Sequence, residues 1–424
     1  MTSQPTSASP EAGPTEPRPL RVALIGYSFM GSIHAQAWTT APRFFDLGIA
    51  PRLSAVCGRD ASAAQQFAAK FGIPRVETDW RTLVEDPEID AVDICTPGNL
   101  HAPIAIAALE AGKHVLCEKP LANSVEEAER MALAARDARA RGALAMVGFS
   151  YRRTPALAYA RELVREGRLG TIRHIRAQYL QDWIVDEDFP LVWRLERDKA
   201  GSGALGDIGA HILDLAQYVS GHRIVGVSAL TETFVKSRPL PAASSGLQAV
   251  GLHASGAHDG GRGAVTVDDA AVVIARTDEG ALATFEATRF ATGRKNAIRL
   301  ELNGSKGSLA FDFESLNELW LYDGVDPAPS AGFRRILVTE PEHPYAGAWW
   351  PAGHGLGYDH CFVHEVADFA RAIARGEQPE PSFGDGLQIQ RLLEAVEDSA
   401  AGRAQWRDVA TSDVPAGNAA TVGA

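Results

Sequence analysis

The sequence is poor in several things. It holds four cysteines in 424 residues, Cys57, Cys95, Cys117 and Cys361, and no two form a close pair. A disulfide framework and a cysteine-based zinc site are therefore not what organises the chain. Three of the thiols fall at the ends of expected strands, which predicts buried free thiols in a reducing cytoplasm. No apolar run reaches the roughly 18 residues that a membrane-spanning helix needs, so no membrane partner is expected. Positive charge is scarce: 41 Lys and Arg stand against 53 Asp and Glu, a formal net charge of -12. That balance argues against nucleic acid or anionic lipid as the main partner. It leaves room for an anionic cofactor held locally by backbone N–H groups. Residues 1–19 lack both the basic start and the apolar stretch of a signal peptide; like 411–424, they read as a disordered tail.

What the first third does have is a regular alternation. The run "RVALI" ends at Gly26, and a helical pattern starts near Phe29. Further short apolar runs follow at "LSAVCG", "AVDICTP", "HVLCEKP" and "ALAMVGF", with helical patterns between them. Apolar strands alternating with helices imply a parallel sheet covered on both faces. Right-handed crossovers make it a doubly wound, nucleotide-binding Rossmann sheet over residues 20–148. After Phe149 the pattern changes to short alternating runs separated by Gly, Asn and Asp turns, the mark of antiparallel strands. The fold class is thus α/β: the Rossmann sheet, then an α+β domain over 149–384 with a large, mostly antiparallel open sheet. Segment 236–268 is rich in Gly, Ala and Ser and reads as a mobile loop. A helix in 385–410 is expected to return to the first domain.

The stretch "LIGYSFMGSIHA" is nearly a dinucleotide fingerprint, G-x-G-x-x-G, in the strand–turn–helix setting that the motif requires. Gly26 and Gly31 fit, and Ser28 replaces the middle glycine. A serine adds one small side chain whose hydroxyl can donate to a phosphate oxygen, provided the residue does not need a positive φ. The cofactor residues expected here are Gly26, Ser28, Phe29, Met30 and Gly31, with the helix N-terminus facing the anion. At the end of the second strand, where an acid normally reads the ribose, the sequence has "CGRD". Gly58 replaces the acid, Arg59 follows as a candidate for a 2′-phosphate or for adenine stacking, and Asp60 suits a helix N-cap. NAD and NADP both remain open.

Two further tracts carry a resemblance. "CTPGNLHAPIAIAALEAGKHVLCEKPLA" holds T-P-x-x-x-H as Thr96, Pro97 and His101, and E-K-P as Glu118, Lys119 and Pro120. "AGSGALGDIGAHILDLAQYVSG" holds D-x-x-x-H as Asp207 and His211, and "VWR" precedes it with Arg194. Over residues 20–405 the chain resembles the Gfo/Idh/MocA family of NAD(P)-dependent oxidoreductases. The tract from Tyr179 to His211 looks closest to members that oxidise glycosides, the levoglucosan dehydrogenase-like and glycoside 3-dehydrogenase enzymes. The resemblance implies Thr96, Pro97, Asn99, His101, Glu118, Lys119 and Arg194 at the cofactor, and a cis bond before Pro120. It implies Lys119 and His211 as the catalytic pair, with Asp207 orienting the histidine or a substrate hydroxyl. It also implies a homodimer or homotetramer formed through the open sheet.

The residue types suit that chemistry. Oxidising a secondary alcohol removes a hydride and a proton. A lysine held near a positively charged ring gives up its proton more readily, and a histidine can take or relay one near neutral pH. For substrate, Gln181, Trp183 and Tyr358 join Asp207 and His211, with Gln178, Asp182 and His360 as further candidates. The histidines 343, 354, 360 and 364 match no metal-binding pattern, so no metal is expected. The expected activity is NAD(P)-dependent oxidation of a sugar, glycoside (at C3) or inositol hydroxyl. A ketone or imine reductase on a non-sugar, and a non-catalytic dinucleotide-binding sensor, remain alternatives.

Overall fold

The computed structural model describes residues 18–241 and 258–411. Six parallel strands form the first sheet: β1 (Pro19–Ile25), β2 (Ala50–Cys57), β3 (Val76–Glu77), β4 (Ala91–Ile94), β5 (His114–Glu118) and β6 (Ala145–Gly148). Their order is β3-β2-β1-β4-β5-β6. Every residue of β4 and β6 is buried, as helix-covered parallel strands require. The covering helices are α1 (Phe29–Phe44), α2 (Ala61–Phe71), α3 (Trp80–Val84), α4 (His101–Glu110) and α5 (Val125–Arg139). Asp60 caps α2, accepting from the N–H groups of Ser62 and Ala63. The sheet order reverses between β1 and β4, so a crevice opens beyond their carboxyl ends.

The second domain begins with α6 (Pro155–Arg165), then β7 (Ile172–Leu180), α7 (Arg197–Ala200), α8 (Ala210–Ser220) and β8 (Ile224–Glu232). Two strands, β9 (Ser237–Pro241) and β10 (His258–Ala264), pair antiparallel as a separate ribbon. Segment 236–268, expected as one mobile loop, is thus partly sheet, because Gly-rich composition does not prevent two backbones from pairing; residues 242–257 lie outside the described residues. The remaining strands are β11 (Ala270–Thr277), β12 (Leu282–Thr288), β13 (Ala297–Gly304), β14 (Gly307–Asp312), β15 (Glu318–Asp323), β16 (Arg334–Leu337) and β17 (Arg407–Asp408). They make a nine-stranded sheet, β16-β15-β14-β13-β7-β12-β11-β8-β17. Neighbours are antiparallel except β7 and β12, so the sheet is mixed. Along β11, Ala271, Val273 and Ala275 point into the core, while Val272 and Ile274 are exposed on the other face.

Two long helices, α9 (Tyr358–Arg375) and α10 (Phe383–Ala401), precede β17. Although α9 lies within the span expected for the second domain, it packs on α1. Its Phe362, Val366, Phe369 and Ala370 share one apolar cluster with Leu20, Val22 and Trp38. Sequence adjacency misplaced it because its apolar face is complementary to the first domain. Helix α10 lies between α5 on one side and β8 on the other. Among the described residues, no helix is long and apolar enough to cross a membrane.

Candidate active site

The crevice has the backbone cradle that a pyrophosphate needs. Gly26 stands at φ +106°, and a Cβ there would lie 2.5 Å from the Cys95 carbonyl oxygen. A Cβ on Gly31 would lie 2.2 Å from the Gly26 carbonyl oxygen. Ser28 meets no such constraint: it has φ −75°, makes no capping hydrogen bond and is exposed. The first N–H groups of the 16-residue α1 follow it. Across the crevice, the buried Thr96 Oγ1 has no hydrogen-bond partner among the described residues. Pro97 and the exposed Asn99 extend the same rim. This donor set and shape fit a dinucleotide.

The side chains of several expected cofactor residues point away from this cradle. The Phe29 ring stacks on Tyr358 across the cleft, with centroids 6.4 Å apart, and Met30 packs into the apolar core. His101 is buried, its ring nitrogens on the Thr96 and Pro120 carbonyl oxygens at 3.0 Å each. It fastens two loop ends together and does not face the crevice. Glu118 is buried too, accepting from His34 Nε2 at 3.0 Å. Both were expected at the cofactor because the motif sits at the sheet edge, but the first turn of α4 directs the His101 ring onto the Thr96 and Pro120 carbonyls, and His34 holds Glu118 in the interior. At the end of β2 the ring of Tyr27 fills the place of a side chain: a Cβ on Gly58 would lie 1.7 Å from it. The absent acid therefore has a packing cause. Arg59 is exposed and has no partner among the described residues.

Lys119 follows β5 directly, and its bond to Pro120 is cis. Its Nζ donates to the Asp207 carbonyl oxygen at 2.8 Å and to Asp207 Oδ1 at 3.3 Å. Asp207 Oδ2 accepts from Arg289 Nη2 at 3.0 Å, and the same nitrogen donates to the Gly203 carbonyl oxygen at 2.9 Å. Burial pushes the Asp207 pKa up, but the charges of Lys119, Arg289 and Arg194 outweigh it and hold the carboxyl well below its usual range. Arg289, fully buried at the end of β12, was missed in the sequence; an arginine closing a strand carries no motif.

Asp207 and His211 do not share a regular helical face. Leu205–Gly209 is a π-type turn and α8 starts only at Ala210; such turns recur at functional sites. Asp207 consequently holds Lys119 rather than His211. The His211 ring lies among aromatic edges, 4.6 Å from Tyr151 and 6.0 Å from Tyr179 and Phe149. Burial first, and then the Lys119 charge, lower its pKa well below the ordinary histidine value. It is a neutral imidazole that makes no hydrogen bond among the described residues.

On the second domain's side of the cleft, a side-chain chain runs from Tyr151 to Tyr179 (2.8 Å), from Tyr179 to Asn296 Oδ1 (2.7 Å) and from Gln181 to the same oxygen (2.9 Å). Trp183 Nε1 donates to Gln181 Oε1 at 3.0 Å. Gln181, Trp183 and Tyr358 are thus part of the cleft wall, together with Tyr151 and Asn296, which the sequence had not suggested. Three further candidates fall away. Gln178 points to the outer sheet face and bonds Glu286; Asp182 holds the 293–295 turn through Gly293 and Lys295; His360 accepts from the Gly357 N–H at the start of α9. His343, His354 and His364 are likewise engaged locally.

Comparison with known proteins fits this geometry. Residues 20–149 match the oxidoreductase family with an NAD-binding Rossmann fold, and residues 157–310 match the GFO/IDH/MocA C-terminal domain. The chain belongs to the Gfo/Idh/MocA oxidoreductase family. It is similar to the levoglucosan dehydrogenase of Pseudarthrobacter phenanthrenivorans, 42% identical over 392 residues, covering 92% of this chain and 98% of that protein. Among solved structures it is similar to an oxidoreductase domain protein from Kribbella flavida, with a TM-score of 0.87 at 60% identity over 93% of this chain and all of that one. A levoglucosan dehydrogenase complex with NADH and L-sorbose gives a TM-score of 0.86 at 40% identity, with the same coverage. As a member of this family, the protein is an NAD(P)-dependent oxidoreductase acting on CH–OH groups. Its first domain is an NAD(H)-binding Rossmann domain, consistent with use of NAD or NADP.

Proposed function

We propose that the protein oxidises a secondary hydroxyl of a sugar or polyol, and within that class a pyranose glycoside of the levoglucosan type, at C3. The reading is carried by one observation: a neutral, unbonded His211 imidazole and a Lys119 ammonium stand together in a cleft walled by Trp183, Tyr179 and Tyr358. The matched relatives named for levoglucosan support the choice of substrate. When bound, the nicotinamide supplies the hydride acceptor. His211 accepts the hydroxyl proton through a free ring nitrogen, and its lowered pKa makes it pass that proton on quickly to solvent. Lys119 Nζ donates to the oxygen as it gains negative charge. Asp207 fixes Lys119 with two oxygens, and Arg289 fixes Asp207.

The test is steady-state turnover with levoglucosan, inositols, simple glucosides and non-sugar alcohols, with each dinucleotide. Lys119→Ala and His211→Ala should each lower kcat by about 10²–10⁴-fold, the range for a positioned acid–base group, while binding the dinucleotide like the parent. Turnover of non-sugar alcohols alone would replace the substrate reading. Near-parental turnover in Lys119→Ala would remove the assignment of the site.

Copies of the chain are further proposed to associate through the open face of the large sheet. Leu230, Val272, Ile274 and Leu282 are each more than half exposed there, and the ladder sets Val272 opposite Leu230. Contiguous apolar exposure of this kind marks an interaction surface.

A further inference from the structure

Behind the active-site lysine, five ionisable side chains are buried together. His34, on α1, is fully buried. Its Nδ1 meets both carboxylate oxygens of Asp93, at 3.0 and 2.9 Å, and its Nε2 meets Glu118 Oε1 at 3.0 Å. Trp38 Nε1 donates to Asp93 Oδ2 at 2.7 Å, and the Lys119 backbone N–H donates to Glu118 Oε2 at 3.3 Å. Glu365, on α9, faces the same spot: its carboxylate and that of Glu118 lie within 4.8 Å of each other and of His34. Neither Glu365 oxygen has a hydrogen-bond partner among the described residues. Arg153 Nη1 stands 3.6 Å from Glu365 Oε2.

The chemistry of the contacts assigns the protons. A ring nitrogen facing an ionised carboxylate carries a hydrogen, and with Asp93 and Glu118 ionised both nitrogens of His34 do so, which makes the ring an imidazolium. Burial alone would lower its pKa, but Asp93 overrides this and raises it well above the ordinary value. An imidazolium has no lone pair for a metal ion. Glu365 then faces a second carboxylate with no donor of its own. Burial pushes its pKa up to about 8, so at neutral pH it is a neutral acid.

We propose that His34 is a positioning residue of the active site, tying the helix behind the phosphate turn to the strand end that carries Lys119, and balancing the Glu118 charge beside it. The proposal rests on the reading of Lys119 as the acid–base group. His34 belongs to the helix that begins at Ser28, Asp93 to the strand leading to Thr96, and Glu118 to the strand ending at Lys119. One ring therefore joins the three chain ends that form the crevice. From the second domain Lys119 faces Asp207 and His211, with Arg289 and Arg194 behind Asp207. Removing the imidazolium leaves Glu118 and Asp93 uncompensated next to this set, with Arg153 and neutral Glu365 unable to replace the lost hydrogen bonds.

The experiment is the pH profile of kcat, with KM for substrate and dinucleotide, for His34→Gln, Glu118→Gln and the double variant, beside Lys119→Ala. An uncompensated carboxylate favours the ammonium form of Lys119. In His34→Gln the alkaline limb, where Lys119 loses its proton, should therefore move to higher pH by about one unit, while kcat on the plateau below that limb stays within about twofold. KM for the dinucleotide should stay within about twofold, since the phosphate cradle is intact. Glu118→Gln keeps the shape, leaves the imidazolium in excess and should move the limb the other way. The double variant should return it towards the parental position. A purely structural role predicts no opposite shifts. If both single variants fold and keep the parental limb, the proposal is overturned. If Lys119→Ala retains turnover, the underlying reading fails instead. Should His34→Gln not fold, the direction of the Glu118→Gln shift alone decides.

Discussion

Gly58 shows how much one residue can mislead when its neighbours are not visible. Read in sequence, it is a missing ribose acid and a hint towards a phosphorylated cofactor. In the fold the Tyr27 ring leaves no room for a side chain there, because a Cβ would lie 1.7 Å from it. Gly58→Asp should therefore cost about 1–3 kcal/mol through overpacking, seen as a lower urea midpoint, without a gain for NAD. Tyr27→Ala with Gly58→Asp should recover stability and lower KM for NAD relative to NADP. A single Gly58→Asp variant of parental stability would refute the packing account. Lys119, Asp207 and His211 were legible because each stands in a motif with fixed spacing. Arg289, His34 and Asn296 were not: their roles come from partners between 59 and 117 positions away, which no local pattern reports.

At the scale of elements, the π-type turn Leu205–Gly209 decides where Asp207 points, and the turn is built by Asp268. Its two carboxylate oxygens accept from the N–H groups of Gly203 at 2.7 Å and Leu205 at 2.8 Å. Gly203 has to be glycine, since a Cβ would lie 1.8 Å from the Asp268 carbonyl oxygen. Asp268→Ala leaves two buried donors unpaired, about 1–3 kcal/mol for each, and frees the turn that carries Asp207. The expected result is a lower Tm and a lower kcat with little change in KM for the dinucleotide. Unchanged kcat in a folded Asp268→Ala protein would show that the turn does not need its cap. Strands and helices themselves could be read from apolar period: continuous burial in β4 and β6, alternation in β11. Partners could not. The parallel β7–β12 pair and the seat of α9 on α1 are set by complementary faces far apart in sequence, and a period says only that an element has a face.

For the whole molecule, the open sheet face and the buried titrating groups make separate predictions. If copies meet through Leu230, Val272, Ile274 and Leu282, then Val272→Lys with Ile274→Lys should shift the sedimenting species towards the monomer while the fold is kept; an unchanged oligomer would place the contact elsewhere. The pH dependence of stability follows from His364, His114 and His211. In the native state His364 donates from Nδ1 to the Arg153 carbonyl oxygen and accepts from Trp349 Nε1 at Nε2, at 2.9 and 2.8 Å. It is thus held neutral, and burial lowers its pKa to about 3, that of His114 to about 4, and that of His211 also downward. Unfolded histidine takes its proton near pH 6.5, so below that value the unfolded state binds more protons and stability falls as pH falls, by up to about 1.4 kcal/mol per unit for each group. Glu365 works in the opposite sense. Its native pKa of about 8 lies above that of an unfolded glutamate, so its contribution is present at low pH and is lost as pH rises through 8. His34, also raised, adds to that alkaline loss. The neutral histidines give a loss towards acid and Glu365 with His34 a loss towards alkali, so the urea midpoint should peak near pH 6.5, falling towards both pH 5 and pH 8. His364→Gln can keep both hydrogen bonds, its Oε1 accepting from Trp349 and its Nε2 donating to Arg153, yet takes up no proton. Its midpoint should fall less between pH 6.5 and 5 than that of the parent, and Glu365→Gln should fall less between pH 6.5 and 8. A His364→Gln protein as acid-sensitive as the parent would mean that this histidine is not held neutral by the fold.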